Sequence, residues 1–381
     1  MSTVQTEGVE LSIALSQQPQ GVLYTPTSEV AGEVLLSIRE GSQDLKYKRV
    51  TVAVLGKVDV YFSVPQSGGG RDGRHFTESN TFFKKVLTLW EEGQSTTSIN
   101  ASGSYVFPFS LSLQSEPNAS LPSSLDCRDA KIRYNIEAKL IRNDTSEIES
   151  ASCFKRIEIQ SNVDINRGEL LSPRSAQKEI MAGCISRDNV TVTSTIARTG
   201  YCRVADEIPV QVIVEPGRGT QLQFISTALI QRITCYAQGQ PSILERLVHS
   251  NANTQMPRKG ISFTWNVPRF TIPDQLELSL DNFSYVHIGY FIRVEFGAKC
   301  IKAQWIDLPI VIGNVPLSSA NSSRLSSMEV SRTTSGGGGY RPVSGLIRSS
   351  GYNPPVIPAA AAKEKEEREE ESNEYSRLIH K

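Results

Sequence analysis

From the start of the chain to residue 317, apolar positions recur at every second residue. Val9, Leu11, Ile13 and Leu15 alternate with Glu10, Ser12 and Ala14. Val50, Val52, Val54, Val58, Val60 and Phe62 share one parity with Gly56, while Thr51, Lys57 and Asp59 take the other. Ile132, Tyr134, Ile136, Ala138 and Leu140 alternate with Arg133, Asn135, Glu137 and Lys139. Successive side chains of a strand point to opposite faces, so each segment offers one face to a core and one to water. Pro, Gly and Asn separate the segments, and the pattern predicts antiparallel strands packed as a sandwich. Phe82 to Trp90 reads as strand too, because Val86, Thr88 and Trp90 alternate with Leu87 and Leu89. Helix is scarce.

The pattern also repeats. Ser28-Glu29-Val30 with Val34, Leu36 and Ile38 has a counterpart in Asp206-Glu207-Ile208 with Val210, Val212 and Val214. Phe107-Pro108-Phe109 corresponds to Phe263-Thr264-Trp265, and Leu121-Pro122 to Ile272-Pro273. Each half then carries a long alternating strand, Ile132-Arg133-Tyr134 in one and Ile288-Gly289-Tyr290 in the other. The same order twice predicts an all-β chain of two tandem antiparallel, immunoglobulin-like β-sandwich domains, each with its own core. We place them at 8–160 and 188–317. Between them 161–187 breaks the alternation and carries Gly168 and Pro173, which predicts a linker.

Beyond Leu317 the composition shifts to Ser, Gly and Pro, then to the acidic run AAAAKEKEEREEES. Such a stretch cannot bury enough apolar surface to offset its chain entropy, so 318–381 is expected to be a disordered tail.

Composition narrows the function. The 381 residues hold 40 Lys+Arg against 40 Asp+Glu, and no basic stripe points to nucleic acid. No apolar run is long enough for a transmembrane helix, and MSTVQTEGVE lacks the basic and apolar regions of a signal peptide. Cys127, Cys153, Cys184, Cys202, Cys235 and Cys300 include no CxxC, so they read as free, buried thiols. The four histidines, His75, His249, His287 and His380, form no HExxH, and no nucleophile elbow, phosphate loop or dinucleotide fingerprint occurs. Gly68-Gly69-Gly70-Arg71-Asp72-Gly73 lacks the Lys-Ser/Thr of a nucleotide loop and reads as a hairpin connection. Nothing asks for an enzyme, a metal or a cofactor.

What remains are basic clusters, Lys46 with Lys48 and Arg49, Lys84 with Lys85, and Lys155 with Arg156. They are candidate contacts for an anionic partner such as a phosphorylated or acidic tail. The bland alternative is that they are solvated strand ends that keep sheet edges unpaired.

At this point the residues resemble a known family. Gly21-Val22-Leu23-Tyr24-Thr25-Pro26, Glu29-Val30-Ala31-Gly32-Glu33-Val34 and Val52-Ala53-Val54-Leu55-Gly56-Lys57-Val58 are similar to the opening strands of the arrestin N-terminal domain. Tyr105 to Leu111, Leu121-Pro122-Ser123-Ser124 and Ile132-Arg133-Tyr134 resemble its second half. Ala197-Arg198-Thr199-Gly200-Tyr201 with Asp206-Glu207-Ile208-Pro209-Val210 resembles the start of the C-terminal domain, and Ile306 to Gly313 with Val315-Pro316-Leu317 its last strand. The wording is most similar to the α-arrestins, the arrestin domain-containing proteins.

The resemblance implies a cytoplasmic, non-catalytic adaptor that is recruited to the plasma membrane and endosomes. It would bind cytoplasmic parts of receptors or transporters and bring WW-domain ubiquitin ligases, so that cargo is ubiquitylated, endocytosed and sorted. The chain departs from the family pattern in three places. Tyr352-Asn353-Pro354-Pro355-Val356 lacks the trailing tyrosine of Pro-Pro-x-Tyr, so direct ligase recruitment is without its usual motif. The strand Glu10 to Leu15 has no lysine pair of the kind that holds receptor phosphates in β-arrestins. Ser262 stands where a thioredoxin-binding member carries a cysteine. Tyr375-Ser376-Arg377-Leu378 fits Tyr-x-x-large-apolar, a form clathrin adaptors read, with Tyr375 and Leu378 as candidate contacts. The chief alternative is a sorting-coat subunit like the arrestin-fold component of retromer, with fixed protein partners. A small-ligand carrier or enzyme using a sandwich cavity is the remaining one.

Overall fold

In a computed structural model of the chain, the described residues are 3–4, 8–16, 23–39, 46–65, 73–94, 99, 102–114, 120–142, 149–182, 188–204, 206–217, 222–256, 258–298 and 302–323. The alternating segments of the first half become β1 (Thr3–Val4), β2 (Val9–Leu15), β3 (Glu29–Ile38), β4 (Tyr47–Val64), β5 (Arg74–Glu91), β6 (Gly103–Ser112), β7 (Leu125–Asp126), β8 (Ala130–Arg142) and β9 (Glu149–Ile157). One sheet runs β1-β9-β8-β4-β5 with β7 paired to β8, and the facing sheet runs β2-β3-β6. Val50, Val52, Val54, Val58 and Val60 are at most 1% exposed, so the parity read from the sequence is the parity of the core. Val64 pairs with Arg74, which makes β4 and β5 a hairpin across the glycine run. Residues 66–72 of that run lie outside the described residues.

After a 3-10 turn at Gly168–Leu171 come β10 (Arg174–Ala182), β11 (Asp188–Ile196), β12 (Gly200–Cys202), β13 (Glu207–Pro216), β14 (Leu222–Ala237), β15 (Gln240–Ala252), β16 (Phe263–Thr271), β17 (Val286–Ala298) and β18 (Gln304–Gly313). They form a sheet β10-β11-β13-β16 and a sheet β12-β18-β17-β14-β15. Pairing is antiparallel except between β12 and β18.

The sequence repeat has a structural basis. Val34 of β3 lies opposite Phe107 of β6, and Val212 of β13 lies opposite Trp265 of β16. Tyr134 on β8 donates its hydroxyl to the Pro122 carbonyl at 2.7 Å, and Tyr290 on β17 donates to the Glu277 carbonyl at 2.6 Å. In each sandwich a tyrosine on a central strand thus satisfies a carbonyl of the chain that precedes it, buried at Pro122 and part-buried at Glu277.

One expectation is corrected. Residues 161–187 are not a strand-poor linker, because Arg174–Ala182 is a nine-residue strand paired with β11 from Arg174–Ile196 to Ala182–Asp188. The physical reason is its place at the edge of its sheet, where charged and polar residues such as Lys178 and Glu179 protect against further pairing and the apolar alternation is thin. Upstream of it, Val163 N–H donates to Asn314 Oδ1 at 2.8 Å, and Asn314 Nδ2 donates to the Ser161 carbonyl at 3.1 Å. This run is therefore pinned to the end of β18. The first tail residues continue the clasp, with Ser318 N–H donating to Asn166 Oδ1 at 2.8 Å ahead of a short helix over 319–323. Both sandwiches belong to one compact unit, Met1–Ser323. The rest of the expected disordered tail lies outside the described residues.

Candidate functional site

Residues directly opposite each other in a sheet share a face, so the register assigns each candidate cation to a side. Arg156, Asn135, Leu55 and Lys84 form one row across β9, β8, β4 and β5. Three strand spacings put the ends of that row about 14 Å apart. The next row holds Phe154, Glu137, Ala53 and Val86. Phe154 is 48% and Val86 53% exposed, so this outward face presents apolar groups beside Lys84 and Arg156. The Arg156 guanidinium is engaged at Glu158, Nε to Oε1 2.8 Å.

Lys85 and Lys155 sit one residue over, in the row Lys155, Ile136, Val54 and Lys85, which points into the sandwich. Lys85 reaches the sandwich edge, where its ammonium donates to the carbonyls of Ser112 at 2.9 Å and Gln114 at 2.7 Å. That ties β5 to the end of β6. Lys46 is exposed just before β4, and Lys48 and Arg49 open that strand, with Arg49 opposite Glu91. The seven cations thus do not converge. Tyr375 and Leu378 lie outside the described residues.

The second feature is the seam between the sandwiches. The Phe82 ring meets Tyr134 edge-on at 5.6 Å and Phe283 at 5.0 Å. Asn80 hydrogen-bonds the Tyr285 hydroxyl. At the β14–β15 turn, Gln238 (φ 52°) and Gly239 (φ 75°) take the left-handed conformation of a tight hairpin turn. The turn presents the Gln238 N–H to Glu78 Oε2 at 3.0 Å and Gln238 Nε2 to the Thr77 carbonyl at 3.2 Å. Nearby, Ser242 Oγ donates to Asp129 Oδ2 at 2.7 Å, and Arg128 holds the same carboxylate from the solvent side. The hydrogen bonds of Arg128, ahead of burial, leave the Asp129 carboxyl below its ordinary range. Beside the seam a cleft of about 190 Å³ is lined by Leu23, Ser123 and Ser161 from one side and Arg203, Glu277 and Ser279 from the other. Small-molecule sites usually offer roughly 300–1,000 Å³. Among the described residues no group of three His, Cys, Asp or Glu is placed to hold a metal.

The sequence reading missed a charged ladder on the outward face of the second sandwich. Arg232 pairs with Glu245, and Arg293 bridges Glu245 at 3.1 Å and Asp307 at 2.9 Å. Both guanidiniums lie over the Phe291 ring, at 4.6 and 5.0 Å from its centre. Planar cations over an aromatic face explain why Phe291 is only 5% exposed on a solvent-facing row. Burial would raise the Glu245 pKa, but hydrogen bonding from Arg232 and the charge of Arg293 outweigh it and hold the carboxyl low. These residues come from four strands, and only the register joins them.

Comparison with known proteins agrees with this architecture. The description "Arrestin (or S-antigen), N-terminal domain" matches residues 11–166, and "Arrestin (or S-antigen), C-terminal domain" matches 186–317. The chain is similar to arrestin domain-containing protein 4 of Mus musculus, 25% identical over 81% of this chain and 72% of that protein. With its Homo sapiens counterpart it shares 29% identity over 61% of this chain and 55% of that protein's length. It is also similar to thioredoxin-interacting protein of Homo sapiens, 24% identical over 82% of this chain and 76% of that protein. Two sandwiches with paired tyrosine anchors, a clasped seam and both domain matches in order lead to one assignment: the chain belongs to the arrestin family, within its α-arrestin branch.

Proposed function

We propose that this chain is a non-catalytic adaptor that binds cytoplasmic parts of membrane receptors or transporters and directs their ubiquitylation, endocytosis and endosomal sorting. The observation that carries the reading is the presence of both arrestin domains in order over 11–317. Arrestin-family proteins are generally non-catalytic adaptors. The first sandwich and the second, which begins at its edge strand β10, serve as two docking modules. Within the first module the exposed Phe154 and Val86 next to Lys84 favour a cargo segment that is mainly apolar with few acids. The tail reaches a WW-domain ligase without a complete Pro-Pro-x-Tyr, and Tyr375 with Leu378 offers a clathrin-adaptor motif. The protein acts in the cytoplasm and is recruited to the plasma membrane and endosomes.

Proximity labelling in cells with the full chain, a 1–317 truncation and a Lys84→Glu/Val86→Asp variant tests this. Membrane proteins and a ligase should label with the full chain, the ligase should be lost on truncation, and membrane-protein labelling should fall at least several-fold in the double variant. Recovery of one fixed set of soluble sorting subunits by all three would instead establish the coat-subunit reading.

A further inference from the structure

Cys127 and Cys235 belong to different sandwiches, yet the seam brings them together. Cys127 sits in the turn between β7 and β8, where its N–H and its thiol both point to the Ala130 carbonyl. Two residues on, Asp129 receives the Ser242 hydroxyl at 2.7 Å. Ser242 is the cross-strand partner of Cys235 on the β14–β15 hairpin. The clasp between Asp129 and Ser242 therefore fixes the cysteine of one sandwich beside the cysteine of the other, and each thiol is the main influence on the other's ionisation. All four described cysteines are free thiols; Cys235 is 1% exposed, and Cys127 is half-buried, open enough for a small oxidant.

We propose that Cys127 and Cys235 form a reversible dithiol–disulfide latch across the seam, a modification site for hydrogen peroxide. The Cys127 thiol falls below its usual range, chiefly through the neighbouring Cys235 and with help from the backbone N–H groups of Asp129 and Ala130, against the effect of burial. Cys127 is the more open sulfur of the pair and Cys235 the interior one. This asymmetry assigns the roles. The Cys127 thiolate attacks one peroxide oxygen, the O–O bond breaks, and hydroxide leaves with the proton that Cys127 released, as water. Cys127 is then a sulfenic acid. The Cys235 sulfur attacks the Cys127 sulfur, the S–S bond forms, the S–O bond breaks, and the hydroxyl leaves with the Cys235 proton as a second water. The two thiols lose two electrons and the peroxide gains them. A dithiol reductant reverses the bond by exchange.

The link would join residues far apart in sequence where the β7–β8 turn of the first sandwich meets the β14–β15 hairpin of the second. It would fix their mutual orientation covalently. Oxidation-sensitive cysteines usually stand next to a resolving cysteine, and this pair has that arrangement.

The test uses the full chain, treated with stoichiometric hydrogen peroxide, alkylated and mapped by mass spectrometry without reduction. A peptide pair linked through Cys127 and Cys235, lighter by two hydrogen atoms and abolished by dithiothreitol, should exceed any other cysteine linkage at least five-fold. The urea midpoint should rise on oxidation and return on reduction. In Cys235→Ala, Cys127 should lose its resolving partner and persist as a sulfenic acid that dimedone traps. Links to Cys184 or Cys300 in equal amount would overturn the proposal, as would over-oxidation of Cys127 without any link in the unaltered chain. The wild-type map decides the matter even where a variant folds poorly.

Discussion

The two tyrosine anchors give a graded prediction. Tyr134→Phe removes one buried hydroxyl, which donates to the Pro122 carbonyl at 2.7 Å. The ring stays, so the packing against Phe82 is kept and the change reports the hydrogen bond. A net bond contributes about 1 kcal/mol, and a buried carbonyl left without its donor raises the cost to about 1.5 kcal/mol. Tyr290→Phe removes more. Its hydroxyl donates to the Glu277 carbonyl at 2.6 Å and accepts from Gln231 Nε2 at 2.7 Å. Gln231 keeps a second bond to Glu277 Oε2 at 2.7 Å, which softens the second loss and puts the total near 2 kcal/mol. The assay pairs urea unfolding with strand-resolved hydrogen exchange, which reads the two packed sandwiches separately. Tyr134→Phe should accelerate exchange mainly in β4 and β8, and Tyr290→Phe in β14 and β17. Losses under about 0.3 kcal/mol with unchanged exchange in both variants would refute the claim that these hydroxyls hold the two carbonyls.

Two further expectations follow from the same packing. Burial raises the pKa of Tyr134, Tyr201 and Tyr290, so the folded state holds protons that the unfolded state releases. The stability this represents is complete below the ordinary tyrosine value of about 10 and falls as pH rises past it, so tyrosinate absorbance should appear together with unfolding; smooth titration of every tyrosine in the folded chain would count against it. Gly32 lies between β2 and β6, where a Cβ would run into the Ala14 carbonyl and come within 3.1 Å of both Leu15 Cα and Phe109 Cζ. Gly32→Ala should cost roughly 2–3 kcal/mol, whereas Gly168→Ala, with nothing within 4 Å of its Cβ, should shift the urea midpoint little, and equal effects would sink the steric argument.

How much was legible in the sequence depended on what each element had to bury. β4 and β8 are central strands whose one face is wholly interior, so Val50 to Val60 and Ile132 to Leu140 announced both the strand and the face. β10 is an edge strand with little to bury, and its polar sequence concealed it inside an apparent linker. The tandem repeat was legible because each half solves the same problem with the same residue types at the same order of positions. The seam was not, since Asp129 and Ser242 are ordinary polar residues until two distant turns meet. The arginine ladder stayed hidden for the same reason, as Arg232, Glu245, Arg293 and Asp307 acquire their pairing only through register.

The basic clusters show the limit most clearly, and also a rule that reaches past it. Adjacent basic residues in a strand cannot act as one patch, because Lys84 and Lys85, or Lys155 and Arg156, point to opposite faces. What shares a face is the residue two positions away. On that spacing Arg156 meets Glu158 at 2.8 Å, Lys57 meets Asp59 at 3.0 Å and Lys139 meets Glu137 at 3.2 Å. Each exposed pair adds little stability, but each removes a free cation from the surface. On β9, β8 and β4 the outward face of the first sandwich therefore compensates its own charge, and its exposed apolar side chains include Phe154, Val86 and Tyr61. A partner held there gains chiefly from burying those side chains, so raising the salt concentration should weaken its binding far less than the Val86→Asp substitution does.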